Sequence, residues 1–322
     1  MWHSDGGVGV VAGVWQHRGM AATSDTHTPM VLDGGMGREL LRIGAPFRQP
    51  EWSALALWEG PEWVVQAHTN FIEAGAEMVT TNSYALVPFH IGEERFAEEG
   101  QQLADLSGRL ARQAADAAGH PVMVAGSLPP LFGSYRPDLF VEADAQRIID
   151  PLVAGLAPHV DLWLGETLGS IIEARTVRAA LDRAGSTLPL WISYTLDDHQ
   201  AGTLRSGEPV DEAVRVALDL GAVAVLFNCC PAETITDALA IAGPLAAGRA
   251  RTGGYANRFV AAHAEETGAN SGLARFRDDL DATAYGEFVE RWLAAGATLV
   301  GGCCGMDPSH IARIAELSAG AP

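Results

Sequence analysis

Basic residues are scarce in this 322-residue chain: 21 arginines and lysines stand against 40 acids, for a formal charge of −19. The acids are spread along the sequence instead of forming a tail. Such a field repels polyanions, so nucleic acid and anionic lipid head groups are excluded as partners, while a small cation is not. Long apolar runs are missing as well. None approaches the roughly 18 residues that a membrane span needs. The short stretch 8–14 is glycine-rich and preceded by Asp5 and no basic residue, unlike the start of a secretion signal. Cysteine is rare: there are four, in two adjacent pairs, Cys229-Cys230 and Cys303-Cys304. Neighbouring Cα atoms stand about 3.8 Å apart, short of the roughly 4.4–6.8 Å of a relaxed disulfide. Neither pair bridges itself, and reduced thiols in a cytoplasm are the expectation. Low-complexity segments and the Gly-x-Gly-x-x-Gly fingerprint of a dinucleotide site are also absent.

What is present suits one compact domain. Hydrophobic residues make up 48% of the chain and charged residues 19%, an ordinary globular mix able to bury a large core. Short apolar, β-branched stretches recur at 30–32, 76–81, 121–125, 160–164, 188–194, 222–227 and 297–300. Each is followed by a segment with apolar residues at helical spacing, several of which end in glycine. Near-continuous apolar strands alternating with helices indicate a parallel sheet covered on its outer face. Seven strands are clear. An eighth belongs near 249–254, a polar, glycine-rich stretch that makes a poor strand by itself. Eight strands close a (β/α)8 TIM barrel and seven leave an open sheet; the barrel is the expected fold. It takes residues 29–322 as a single domain, with 1–28 as a flexible N-terminal extension and Met20 as a candidate start. The loop 197–209 has no apolar periodicity and holds Gly202 and Gly207, which predicts a lid or specificity loop after the fifth strand.

Polar or special residues follow almost every strand. Asp33-Gly34-Gly35 follows the first, Thr80-Thr81-Asn82-Ser83-Tyr84 the second and Gly126-Ser127 the third. Glu166-Thr167, Asn228-Cys229-Cys230, Tyr255-Ala256-Asn257 and Gly301-Gly302-Cys303-Cys304-Gly305 follow later ones. In a barrel these strand ends form the catalytic face, so the positions converge in space. Three thiolates from two strand ends can hold a tetrahedral zinc with the fourth position open, as catalytic sites do. The two cysteine groups lie 303 − 229 = 74 residues apart, which suits distant strand ends and not a zinc finger. Successive strand residues point to opposite faces, so Cys303 and Cys304 reach one metal only if the backbone leaves strand geometry, a freedom the flanking glycines supply. Buried cysteines as small apolar packing are the plainer alternative. Asp33 is open to two accounts, a functional acid or the N-cap of the following helix. Glu166, after an apolar run, either pairs with a structural cation or awaits a substrate ammonium. Taken alone, Thr80, Tyr84 and Asn257 read as loop hydrogen-bonding residues.

Together, Val31-Leu32-Asp33-Gly34-Gly35-Met36-Gly37, Thr80-Thr81-Asn82-Ser83-Tyr84, Gly126-Ser127-Leu128, Gly165-Glu166-Thr167, Phe227-Asn228-Cys229 and Gly301-Gly302-Cys303-Cys304-Gly305 resemble the homocysteine S-methyltransferases. That family includes the betaine and S-methylmethionine enzymes and the homocysteine domain of cobalamin-dependent methionine synthase. The resemblance implies a zinc barrel with the metal on Cys229, Cys303 and Cys304, and leaves Cys230 to packing. It also implies that Glu166 binds the homocysteine ammonium, while Thr80 and the turn at Asp33-Gly34 hold its carboxylate. Asn257 matches the asparagine of a Tyr-Pro-Asn turn, from which this chain departs at Ala256.

The implied reaction is a zinc-dependent methyl transfer from a cationic small-molecule donor, S-methylmethionine or S-adenosylmethionine, to homocysteine, giving methionine. Asp33 and Tyr84 would stabilise the donor by charge and by cation–π contact. The rivals are another thiol or selenol acceptor, a methylcorrinoid donor, or a non-catalytic zinc or redox-sensing protein. The Thr-Thr-x-Ser-Tyr run at 80–84 resembles the S-methylmethionine branch, which favours that donor over betaine.

Overall fold

The computed structural model describes residues 29–260 and 275–320. The extension expected at 1–28 lies outside the described residues. Eight parallel strands follow one another around a ring: β1 (Met30–Val31), β2 (Met78–Thr80), β3 (Met123–Leu128), β4 (Leu162–Leu168), β5 (Leu190–Tyr194), β6 (Ala224–Asn228), β7 (Arg251–Ala256) and β8 (Leu299–Gly302). β1 pairs with β8. The ring is completed between β1 and β2 by a bridge of Leu32 to Met78 and by Glu77, whose N–H donates to Val31 O at 2.8 Å. The Glu77 carboxylate in turn accepts from Val31 N at 3.0 Å. This is a (β/α)8 TIM barrel.

The helices are α1 (Met36–Ile43), α2 (Leu55–Glu59), α3 (Pro61–Glu73), α4 (Pro88–Ile91), α5 (Glu93–Ala117), α6 (Glu142–Leu156), α7 (Ile171–Arg183), α8 (Val210–Asp219), α9 (Ala232–Ala246), α10 (Ala282–Ala294) and α11 (Pro308–Ala319). Alternation along the strands sorts two cores. Leu162, Leu164, Trp191, Leu226 and Leu299 fill the barrel, while Trp163, Ile192, Val225 and Val300 face outward and bury against the helices. α1 and α11 fall outside the helices read from sequence periodicity. α11 starts at an Asp307–His310 capping box with Pro308 in its first turn and packs over β1 and β8, where the two ends of the barrel meet.

The doubtful eighth strand exists. β7 pairs with β6 through Ala224–Asn228 and with β8 through Leu299–Gly302. Its glycines, which make it a poor strand by propensity, are what the packing demands: a Cβ on Gly253 would stand 1.9 Å from Leu299 O. Tertiary contacts override the intrinsic preference here.

Candidate active site

At the C-terminal ends of the strands a cleft of about 520 Å³ opens, lined by Asp33, Gly34, Thr80, Tyr84, Glu166, Asn257, Cys229, Cys303 and Cys304. Every site residue expected from sequence borders this one space.

The sulfur side comes from β6 and β8. Cys229 follows β6 directly and has φ 53°, and Cys303 and Cys304 lie in the turn after β8. Gly305, at φ 87°, completes that turn in a conformation open to glycine without strain. The peptide leaves strand geometry as Cys303 N donates to Ala256 O at 2.9 Å and Arg258 N to Cys304 O at 2.8 Å, and both thiols turn toward Cys229. The three Sγ atoms lie within 4.8 Å of one another, with Cys229 and Cys304 at 3.7 Å. Two sulfurs each about 2.3 Å from a tetrahedral zinc stand about 3.8 Å apart, so the donor set and its spacing fit that ion. Hydrogen bonds from Cys303 and Cys304, and then from the Tyr135 hydroxyl, hold the Cys229 thiol well below its usual range against the effect of burial. The same bonds to Cys229 push Cys303 and Cys304 up. Cys230 points away into the outer core, fully buried, and burial pushes its thiol up to about 12.

The oxygen side comes from β1 to β4. Asp33 does not cap α1, whose N-cap is Gly35 without a side-chain bond. Its carboxylate accepts instead from Thr80 N at 2.8 Å and Thr80 Oγ1 at 3.2 Å, and burial pushes it up to about 8. Glu166 accepts from Ser127 Oγ and from Tyr255 OH, the latter at 3.4 Å. Burial raises it to about 7, with no basic group among the causes. No structural cation pairs with it among the described residues. Tyr84 OH meets Ser134 Oγ at 2.9 Å. Asn257 accepts from Phe259 N at 3.1 Å, ordering the turn that closes the cleft above β7.

Several residues that build the site were given no role from sequence. Asn228 is fully buried: its Oδ1 accepts from Thr167 N at 2.8 Å and Ser193 Oγ at 2.7 Å, and its Nδ2 donates to Thr167 Oγ1 at 2.8 Å. It thereby fixes Thr167, at φ 58°, a left-handed conformation that costs a β-branched residue about 1–3 kcal/mol. Thr167 follows Glu166 and Cys229 follows Asn228, so one amide aligns both sides of the cleft. Tyr135 places its hydroxyl 2.9 Å from Cys229 Sγ. Burial keeps that phenol protonated, so it is the donor. From the loop 197–209, Asp198 and Arg205 reach the cleft wall. A left-handed backbone, as at Tyr135 with φ 62°, leaves no composition signal.

Fold and site define a class: a (β/α)8 barrel with a three-thiol cluster able to hold a metal ion at its catalytic face. The family model for homocysteine S-methyltransferase matches residues 30–318, and the chain belongs to that family and is a methyltransferase. A homocysteine S-methyltransferase of Escherichia coli is 30% identical over 93% of this chain and 98% of its own. A selenocysteine methyltransferase of Astragalus bisulcatus is 29% identical over 89% and 91%. The metallated form of the homocysteine methyltransferase MmuM from Escherichia coli superposes with a TM-score of 0.73 at 27% identity, covering 90% of this chain and 96% of that one. Among the described residues no helix is long and apolar enough to cross a membrane.

Proposed function

We propose that the protein transfers a methyl group from a small sulfonium donor, S-methylmethionine or S-adenosylmethionine, to homocysteine, forming methionine with the help of zinc held by Cys229, Cys303 and Cys304. The observation that supports this most is the 3.7 Å Cys229–Cys304 spacing at the mouth of a cleft that also holds two buried carboxyls. Zinc, when bound, keeps a coordinated thiol deprotonated at neutral pH, where a free thiol is mostly protonated. Glu166 takes the acceptor's ammonium, whose charge draws the carboxyl into its ionised form. Asp33, pushed up to about 8, remains a hydrogen-bond donor near neutrality. With Gly34 and Thr80 it holds the acceptor's carboxylate. Tyr84 offers its ring to the cationic donor, and Asn257 keeps the cleft wall over β7 in place.

The sulfur attacks the methyl carbon in line; the new S–C bond forms as the donor's S–CH3 bond breaks, and the electron pair neutralises the sulfonium. No proton moves in that step, so the chain's contribution is positioning and exclusion of water. A selenol acceptor is a second reading, supported by the likeness to the selenocysteine enzyme.

Methionine formation with S-methylmethionine, S-adenosylmethionine and betaine tests the donor. The expected result is at least about tenfold higher kcat/KM for S-methylmethionine than for betaine, roughly 1.4 kcal/mol. Equal rates, or activity with betaine alone, would overturn the donor assignment.

A further inference from the structure

The cleft wall after β5 holds a second pair of charges that the acceptor leaves unused. Asp198 and Arg205 both line the cleft and form an ion pair with only 10% and 14% of their side chains exposed. Removing two charges from water costs several kcal/mol per ion, and a buried pair is weak evidence for stability. Arg205 Nε is buried with no hydrogen-bond partner, so the guanidinium fork is only partly used. The loop that presents the pair is itself braced without it: Leu196 bridges Leu204, Thr203 bridges Pro209, and Asp197 accepts from the N–H groups of His199 and Gln200, each at 2.8 Å. Ser206 N donates to Gly169 O at 3.0 Å and Ile171 N to Glu208 at 2.9 Å. The ion pair is therefore not what folds the loop. Its position relative to the sulfurs is fixed by one residue: the guanidinium lies 5.0 Å from the centre of the Tyr135 ring, and the hydroxyl of that ring touches Cys229 Sγ. One phenol ring separates the charge pair from the thiol cluster.

We propose that Asp198 and Arg205 form the head-group recess for the methyl donor, taking the ammonium and the carboxylate of a donor that is itself an α-amino acid. The inference rests on the methyl-transfer reading above and sharpens it to donors of the methionine type. S-methylmethionine and S-adenosylmethionine both carry an ammonium and a carboxylate a short alkyl chain away from the sulfonium. Arg205 offers a planar fork suited to a carboxylate, and Asp198 a carboxylate suited to an ammonium. With its head group there, the donor's sulfonium lies toward Tyr135 and the sulfur side. The acceptor's head group lies at Glu166 and Asp33, so the two head groups take separate charged groups of one cleft and both sulfur ends point to the thiol cluster. Betaine, with no N–H on its cationic centre, cannot use Asp198 in this way.

The test compares two cations that share the sulfonium and differ in the head group. For the wild-type protein loaded with zinc, the KM for S-methylmethionine is measured beside the inhibition constant of trimethylsulfonium as its competitor, and both again in Arg205→Met, Arg205→Lys and Asp198→Asn. Arg205→Met is expected to raise the KM for S-methylmethionine about ten- to a hundredfold, as loss of a charged hydrogen bond does, while trimethylsulfonium inhibition and the KM for homocysteine stay within twofold of wild type, about the scatter of neutral substitutions. Asp198→Asn is expected to act in the same direction, and Arg205→Lys, which keeps the charge and loses the fork, to fall between. An unchanged KM for S-methylmethionine, or equal losses for both cations, overturns the recess and leaves the pair a loop staple. Loss through misfolding in Arg205→Met is recognised by its circular dichroism, and Arg205→Lys and Asp198→Asn then decide. If the wild-type protein forms no methionine from any sulfonium donor, the methyl-transfer reading itself has failed, a result distinct from the other two.

Discussion

Between β1 and β4 the barrel mouth is built from oxygen, and between β6 and β8 from sulfur. The carboxyls of the first region are already answered by the protein: Asp33 by Thr80, Glu166 by Ser127 and Tyr255. Burial still raises both well above the ordinary carboxyl range, so they wait in a state that a cationic or anionic partner can tip. The thiols of the second region have mostly one another for company, and further ionisation beyond Cys229 is opposed by its charge. An opposite charge placed among like groups this close favours their ionised form. One region is satisfied by hydrogen bonds within the protein; the other is a donor set able to hold a metal ion.

The largest effect that tests this contrast is removal of a sulfur. Cys303→Ala or Cys304→Ala is expected to lose the bound metal and all measurable methyl transfer, read by metal analysis and methionine formation, and full metal content in either variant would break the contrast. Cys230→Ala, in the outer core, keeps its metal and costs about 1 kcal/mol of stability. Next comes the oxygen side, where Glu166→Gln is expected to weaken homocysteine binding by about 1.5–3 kcal/mol. Metal content should not change, and a loss of metal would show that the two regions are not separable.

A smaller effect lies at their border. Tyr135→Phe removes the hydroxyl that supports Cys229, and such supporting partners are worth about ten- to a hundredfold in metal affinity; the lower end is expected, measured by competition with a chelator. Unchanged affinity would confine the phenol to packing.

The smallest is a pH dependence. Glu166 sits at about 7 in the folded protein against an ordinary 4.5, so the native state holds its proton longer than the unfolded chain. Its contribution to stability is therefore full below the ordinary value and lost as the pH rises through the folded one. Binding runs the other way, because an ammonium prefers the ionised carboxylate. Methionine, which has no thiol to titrate, should bind several-fold more tightly near pH 8 than near pH 6, a shift well inside what one pKa unit allows. Glu166→Gln should flatten the curve, and an unaltered slope in that variant would assign the proton to another group.

The strands that bury both faces are plain in the sequence because their apolar runs are long for their position, and the residues after them mark the mouth. β7 is the exception for a physical reason: its Gly253 has no side chain to show a pattern, and its shape is imposed by Leu299 of the next strand. α1 opens at a glycine with no side-chain cap, so it lacks a start signal, whereas α11 has one in Asp307 and Pro308. The cysteine groups are legible because thiols are rare and the glycines beside them rarer in combination. Asp198 and Arg205 are not, since the loop path that brings them to the cleft depends on bridges between Leu196, Leu204, Thr203 and Pro209. Asn228 is visible as a strand-end residue, but its role is not, because its amide acts across strands on Thr167 and Ser193.

The neighbouring of β1 and β8 has a consequence in time. Asp33 and Cys303 stand side by side at the seam, joined by Gly302 N donating to Asp33 O at 3.0 Å, yet 303 − 33 = 270 residues separate them along the chain. At about 5–20 residues per second, a ribosome makes the acid roughly 15 to 55 seconds before the sulfurs. A chain cut short before residue 303 can own every carboxyl of the site and still lack two of its three thiols. The three-thiol cluster therefore exists only in copies whose translation has passed the last strand.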